Sequence, residues 1–156
     1  MKINKKNPVL VVGAGSIGER HIKILLNEGF SNIYVLRRKK SKNFRNLFKP
    51  DITIITSWNS ISTINFTFAI IANPSSLHMR SAISSLNRGM HVLVEKPLSN
   101  NLKSFRELKR IVKQKKLLVY VGYMMRFHPL IKKIDKFILK KTYGDVVSIE
   151  SKWAEY

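Results

Sequence analysis

Three glycines, Gly13, Gly15 and Gly18, stand at the spacing that lets a backbone close around a phosphate. Gly13 permits a tight turn, Gly15 presents no side chain to a pyrophosphate, and Gly18 lets a helix pack closely on a strand. The free N–H groups and partial positive charge of the helix that follows would face the anion. The spacing alone is weak. Here it leaves the apolar run Val9-Leu-Val-Val12 and opens a helical pattern near the N-terminus, and in that setting it marks a dinucleotide site. An ordinary glycine-rich turn between strand and helix is the plainer alternative. It leaves unexplained the polar residues that follow several other strands.

Those strands belong to a regular alternation. Val9–Val12, Asn32–Leu36, Ile52–Thr56, Phe66–Ala72, His91–Val94 and Leu117–Val121 read as strands. Ser16–Asn27, Ser76–Arg88, Ser99–Lys115 and Pro129–Lys140 read as helices, with Gly29 as the C-cap of the first. Arg37–Phe48 reads as a basic loop and short helix, Ser60–Asn65 as a polar connection, and Val146–Trp153 as a new strand. Strand alternating with helix predicts an α/β fold, a doubly wound parallel sheet covered on both faces. In such a sheet ligands bind beyond the C-terminal strand ends. The residues there are Gly13, Arg37, Asn73-Pro74, Glu95-Lys96-Pro97 and Gly122-Tyr123.

Composition narrows the functional classes. A chain of 156 residues can bury one real core. It has no cysteine, which excludes disulfides, thiolate nucleophiles and Cys-based metal sites and fits a reducing cytoplasm. No metal-ligating cluster is visible. No apolar segment approaches the roughly 20 residues of a membrane-spanning helix, so no membrane partner is expected. The net charge of +20 is concentrated in runs at Arg37–Lys49, Lys103–Lys116 and Lys132–Lys141. Such charge attracts polyanions without specificity. Solvated helix faces explain it more simply, because no nucleic-acid motif or aromatic platform accompanies it.

Four segments carry a family resemblance: Gly13-Ala-Gly-Ser-Ile-Gly-Glu-Arg-His21, Ala72-Asn-Pro-Ser-Ser-Leu-His78, His91-Val-Leu-Val-Glu-Lys-Pro-Leu-Ser99 and Val121-Gly-Tyr-Met-Met-Arg-Phe-His-Pro129. In this order and spacing the chain resembles the N-terminal half of the Gfo/Idh/MocA oxidoreductases. The resemblance implies a Rossmann domain over 1–125, then a connecting helix and the first strand of a second, α+β domain over 126–156. It implies hydride transfer between NAD or NADP and a sugar, nucleotide-sugar or cyclitol derivative. Gly13, Gly15, Ser16, Ile17 and Gly18 match the pyrophosphate loop. Ala72, Asn73, Pro74 and His78 match the loop along the cofactor, although a lone His78 also suits a helix end or core. Glu95 and Lys96 match a Glu-Lys pair, with Lys96-Pro97 as a cis peptide. Arg126 matches a segment reaching cofactor or substrate, and a structural ion pair would equally explain it. Lys96 is the candidate catalytic residue, because hydride transfer from a carbinol also moves a proton from oxygen. A lysine in a partly dry site can take that proton or polarise the oxygen.

The cofactor choice rests on residues. NAD sites place an acid about 20 residues beyond the glycines. Here Arg37-Arg38 end the second strand and no acid is available. An arginine there can grip a 2′-phosphate for roughly 1.5–3 kcal/mol. NADP is therefore expected over NAD. The later family motif, which completes the catalytic set, is absent from this sequence. Three readings follow. One is an oxidoreductase that is the product of a truncated or split gene. One is a nucleotide-binding module completed by a second copy or a partner chain at the Val146–Ser151 strand. The last is a basic nucleic-acid-binding protein. The first is the expectation carried forward.

Overall fold

The computed structural model describes residues 3–38, 52–141 and 143–152. The chain divides into two compact units, Met1–Gly122 and Tyr123–Tyr156.

The first unit is built on β1 (Val9–Val12), which is apolar at every position because both of its faces are covered. Side chains alternate across a strand. Val9 and Val11 therefore join one core cluster, with Ile22, Leu25, Ile33 and Ile70, while Leu10 and Val12 join the other, with Leu36, Ile71, Leu86 and Val94. None of these four β1 residues is more than 4% exposed. Burying each aliphatic side chain stabilises the fold by about 1.5–3 kcal/mol, so β1 is a central contributor.

Around it stand β2 (Ile33–Leu36), β3 (Ile52–Ile55), β4 (Phe68–Ile71), β5 (His91–Val94) and β6 (Val119–Val121). The order is β3-β2-β1-β4-β5-β6 and every pairing is parallel. The sequence order reverses between β1 and β4, which is where a doubly wound sheet opens its ligand crevice. Helix α1 (Ser16–Asn27) buries Ile22 and Leu25 in one cluster. Helices α2 (His78–Asn87) and α3 (Phe105–Lys115) bury Ala82, Leu86, Leu108 and Ile111 in the other. The expected α/β class and doubly wound parallel sheet are thus both present.

The β3-to-β4 crossover is short. It holds only a 3-10 turn, Trp58–Ile61, started by the Ser57 side chain accepting the Asn59 N–H. The expected polar connection is therefore anchored, with Ile61 buried in the core. Gly29, at φ +81°, closes α1 as expected: its N–H bonds Leu26 O and the Phe30 N–H bonds Leu25 O, the pair of bonds that a left-handed glycine after the last turn makes.

Two larger expectations are corrected. Residues 99–104 are not helical, and α3 starts at Phe105. Asn101 donates its N–H to Ser99 Oγ and Lys103 donates its N–H to Asn101 Oδ1, so side chains there compete with the helical ladder. Ser104 then takes a left-handed φ of 61°. Leu102, expected on the apolar helix face, is 88% exposed. Residues 146–152 form no strand and pair with no other described segment, and Val147 is 98% exposed. Alternating side chains do not make a strand without a ladder partner. Trp153 and most of the expected Arg37–Phe48 loop and helix lie outside the described residues.

The second unit contains a 3-10 turn, Met124–Phe127, and helix α4 (Pro129–Lys140). Pro129 occupies the first helical turn, where no N–H is needed, and His128 caps it by accepting the Leu130 N–H. Helix α4 buries none of its residues.

Candidate functional site

The parallel sheet brings its strand ends to one edge, and the ladder continues one residue beyond most of them. Gly13 donates its N–H to Leu36 O at 2.9 Å, Arg37 to Ile55 O at 3.0 Å, and Ala72 to Val12 O at 2.8 Å. Glu95 donates to Ile71 O at 2.9 Å and Gly122 to Val94 O at 2.7 Å. Backbone hydrogen bonds therefore fix the start of each edge segment.

At the β1 end, Gly13 has φ +100°, and a Cβ there would lie 2.6 Å from Asn73 N and 2.7 Å from Ala72 C. Only glycine fits. A Cβ on Gly15 would meet nothing within 4 Å, so open space lies over this glycine. Helix α1 begins at Ser16 with no side chain capping it, which leaves its first N–H groups available. Ser16 and Ile17 are exposed on that turn, while Gly18 is buried under it.

Beside the turn lies a cleft of about 830 Å³. Gly13, Arg37, Arg38, Asn73 and Pro74 line it, which unites five of the expected residues. Its other walls come from Thr56 and Trp58 after β3 and from Leu77, Arg80, Ser84 and Arg88 on and before α2. Arg88 Nη1 donates to Ser84 O at 2.9 Å, and its guanidinium lies 5.1 Å from the Trp58 ring centre. No motif flagged Trp58, Arg80 or Arg88. The available signal was the four-residue spacing of Arg80, Ser84 and Arg88, which puts them on one helical face.

Asn73 is held from two directions. Its Nδ2 donates to Ser81 Oγ at 2.8 Å, and its carbonyl oxygen lies 2.7 Å from His78 Nε2. Its Oδ1 is buried beside the cleft without a hydrogen-bond partner among the described residues. An orphaned buried acceptor is costly, and a polar ligand that re-orients this amide would relieve it. The bare glycine turn, the uncapped helix start, the arginines and this amide together fit a dinucleotide.

His78 takes the helix-end, core position that the sequence also allowed for it. It is 2% exposed, and its second ring nitrogen, Nδ1, lies 2.7 Å from Pro97 O. Both nitrogens are thus engaged with backbone carbonyls. The ring joins the loop after β4 to the loop after β5 and does not line the cleft.

Beyond β5 stands a second group. Glu95 Oε1 lies 2.7 Å from His21 Nε2 of α1, with both side chains 18% exposed. Glu95 Oε2 accepts the Lys96 N–H at 3.3 Å. A Cβ on Gly122 would come within 3.2 Å of that carboxylate. The Lys96-Pro97 peptide is cis. Lys96 itself is exposed, so these residues do not supply the partly dry setting expected for it. His21, present in the glycine motif but given no role there, is the partner that sequence reasoning missed. Arg126 lies in the second unit, on its 3-10 turn, and is exposed.

Residues 8–123 match the family model described as "Oxidoreductase family, NAD-binding Rossmann fold". The chain belongs to the Gfo/Idh/MocA oxidoreductases. The match makes the first unit an NAD(P)-binding Rossmann domain. Rhizopine catabolism protein MocA of Rhizobium meliloti is 24% identical over 93% of this chain and 46% of its own length. The scyllo-inositol 2-dehydrogenase (NADP(+)) of Bacillus subtilis is 30% identical over 58% of this chain and 27% of its own. Among solved structures, scyllo-inositol dehydrogenase of Lactobacillus casei with bound NAD(H) and scyllo-inositol superposes with a TM-score of 0.77 at 18% identity, over 90% of this chain and 43% of that one. At that identity the likeness shows the fold alone. The chain spans under half the length of these relatives. Among the described residues no helix is long and apolar enough to cross a membrane.

Proposed function

We propose that this chain binds NADP, in preference to NAD, along the edge formed by the ends of β1, β2 and β4. There it serves hydride transfer to or from a sugar, nucleotide-sugar or cyclitol derivative. The observation that carries this reading is the cleft in which the glycine turn and Arg37-Arg38 meet without a carboxylate among the described lining residues. The pyrophosphate would lie over Gly15 and the start of α1, where a side chain is absent and N–H groups are free. A 2′-phosphate would meet Arg37 and Arg38. Bound cofactor supplies the hydride chemistry. Lys96, at the neighbouring strand end, is the residue proposed to move a proton or polarise a substrate oxygen. Arg126 is proposed to reach cofactor or substrate. With no cysteine, the chain suits a reducing cytoplasm.

Calorimetric titration of the purified chain with NADPH, beside NADH, tests the reading. NADPH is expected to bind roughly ten- to a hundredfold more tightly, the value of one or two charge-assisted contacts. Equal affinities, or no binding of either, would overturn it.

The second unit favours an additional reading. Leu130, Ile134, Phe137 and Ile138 of α4 are all exposed, and apolar exposure of this extent marks a contact surface. A second copy or another chain covering them would complete the substrate side. Size-exclusion chromatography would show a complex if so, and a monomer at high concentration would exclude self-association.

A further inference from the structure

The cleft holds more positive charge than one phosphate requires. Arg37 and Arg38 come from the end of β2, while Arg80 comes from helix α2 and Arg88 from its C-cap. No aspartate or glutamate lines the cleft among the described residues. Arg38 and Arg80 are both exposed cations on this cleft, and an anion bound there would be attracted by both.

Arg80 and Arg88 have different surroundings. Arg88 is engaged with Ser84 O and the Trp58 ring, which sets one wall of the cleft. Arg80 is exposed and makes no hydrogen bond or ion pair with any described residue. The nearby hollow that it also borders contains Glu107, yet the two form no ion pair. Arg80 thus borders both hollows with its donors committed to no described residue. One turn further along α2, Ser84 adds a hydroxyl to the same wall.

We infer that Arg80 is a second specificity-determining residue, which grips the ribose phosphate of an adenosine 2′-phosphate from the α2 wall of the cleft that Arg38 also lines. The inference rests on the proposed dinucleotide reading and extends it. Selectivity for the phosphorylated adenosine is then divided between β2 and α2 instead of residing in the β2 end alone. Arg88 acts behind it as a positioning residue that holds Trp58.

The adenosine half can be tested without nicotinamide. Calorimetric titrations would compare 2′,5′-ADP, 3′,5′-ADP and 5′-AMP on the native chain, on Arg80→Gln and on Arg88→Lys. The native chain is expected to prefer 2′,5′-ADP over both other probes. Arg80→Gln should weaken 2′,5′-ADP about tenfold, the loss of one charge-assisted contact, while leaving 5′-AMP within twofold. Unchanged 5′-AMP binding also shows that the cleft is still folded. Arg88→Lys should weaken all three probes together, as a positioning role requires. Equal loss of 2′,5′-ADP and 5′-AMP in Arg80→Gln, or no loss of either, would overturn the role of Arg80. A native chain that binds 5′-AMP and 2′,5′-ADP equally would instead overturn the NADP reading itself.

Discussion

The two halves of the sheet edge are built to different degrees. Over β1, β2 and β4 the backbone is fixed, glycine is required at Gly13, and the cleft beside it has walls from four segments. Over β5 and β6 there is a part-buried pair, His21–Glu95, and an exposed Lys96 beyond it. In the proposed reading the first half binds cofactor by itself, because the groups that would recognise it already line one cleft. The second half holds Lys96, the proposed catalytic residue, exposed and without walls among the described residues that would dry it or position a substrate. Binding and chemistry are therefore separable in this chain, and substitutions on the two sides should have different consequences.

The largest effect is expected at the Gly13 turn. Gly13→Val places a Cβ against the backbone of Ala72 and Asn73 and forces a branched residue to φ +100°. Such strain costs about 1–3 kcal/mol before the displacement of the β4 end is counted. NADPH affinity should fall by roughly a hundredfold or more, because the pyrophosphate turn and the Asn73 loop move together. Titration gives the affinity and thermal unfolding gives the stability. Retention of both would mean that the cleft is not where cofactor binds.

Next in size is Arg38→Ala. The side chain is exposed and lines the cleft, so the fold should tolerate its loss. Affinity for NADPH should drop about tenfold, with NADH changed little, as expected for one lost charge-assisted contact. Parallel titrations decide it. An equal fall for both cofactors would place Arg38 on the adenine or the pyrophosphate and would blur the contrast between the walls.

What the sequence reveals follows the same division. The sheet was legible because β1 is apolar at every position, and a strand with that pattern must be covered on both faces. The glycine turn was legible because its spacing reflects steric needs. The opposing wall was not, since Trp58, Arg80 and Arg88 sit in no motif and meet only when the crossover after β3 is short. For His78 the sequence left two roles open for a related reason, because a histidine after a cofactor loop reads alike whether it faces ligand or two carbonyls. The start of α3 was lost to local hydrogen bonds among Ser99, Asn101 and Lys103 that outcompete helix periodicity.

Moving to the β5 side, His21→Ala should act on stability more than on binding. It leaves Glu95 part-buried without its 2.7 Å partner, a loss of about 1–3 kcal/mol for an unsatisfied polar group. Thermal unfolding should register a lower midpoint, while NADPH affinity stays within about threefold. A double-mutant cycle with Glu95→Gln would isolate the pair, since coupled residues give non-additive changes. Additive losses would show that His21 and Glu95 act independently, and the β5 group would then be a set of neighbours and not a unit.

The smallest binding effect is expected at Lys96, and it sharpens the comparison most. Lys96 is exposed, and its only hydrogen bond to a described residue runs from its backbone N–H to Glu95. Lys96→Ala keeps that N–H. Stability should change by no more than about 0.5 kcal/mol, as for surface positions in general. NADPH affinity should be nearly unchanged, because the cleft residues do not include Lys96. Turnover, in any assembly that supplies the substrate walls, should nevertheless be lost, since Lys96 is the residue proposed to move the proton. That combination, full binding with no chemistry, is the separation that the two halves of the edge imply. A fall in cofactor affinity as large as that of Arg38→Ala would show instead that Lys96 belongs to the cofactor half, and the edge would have to be treated as one site.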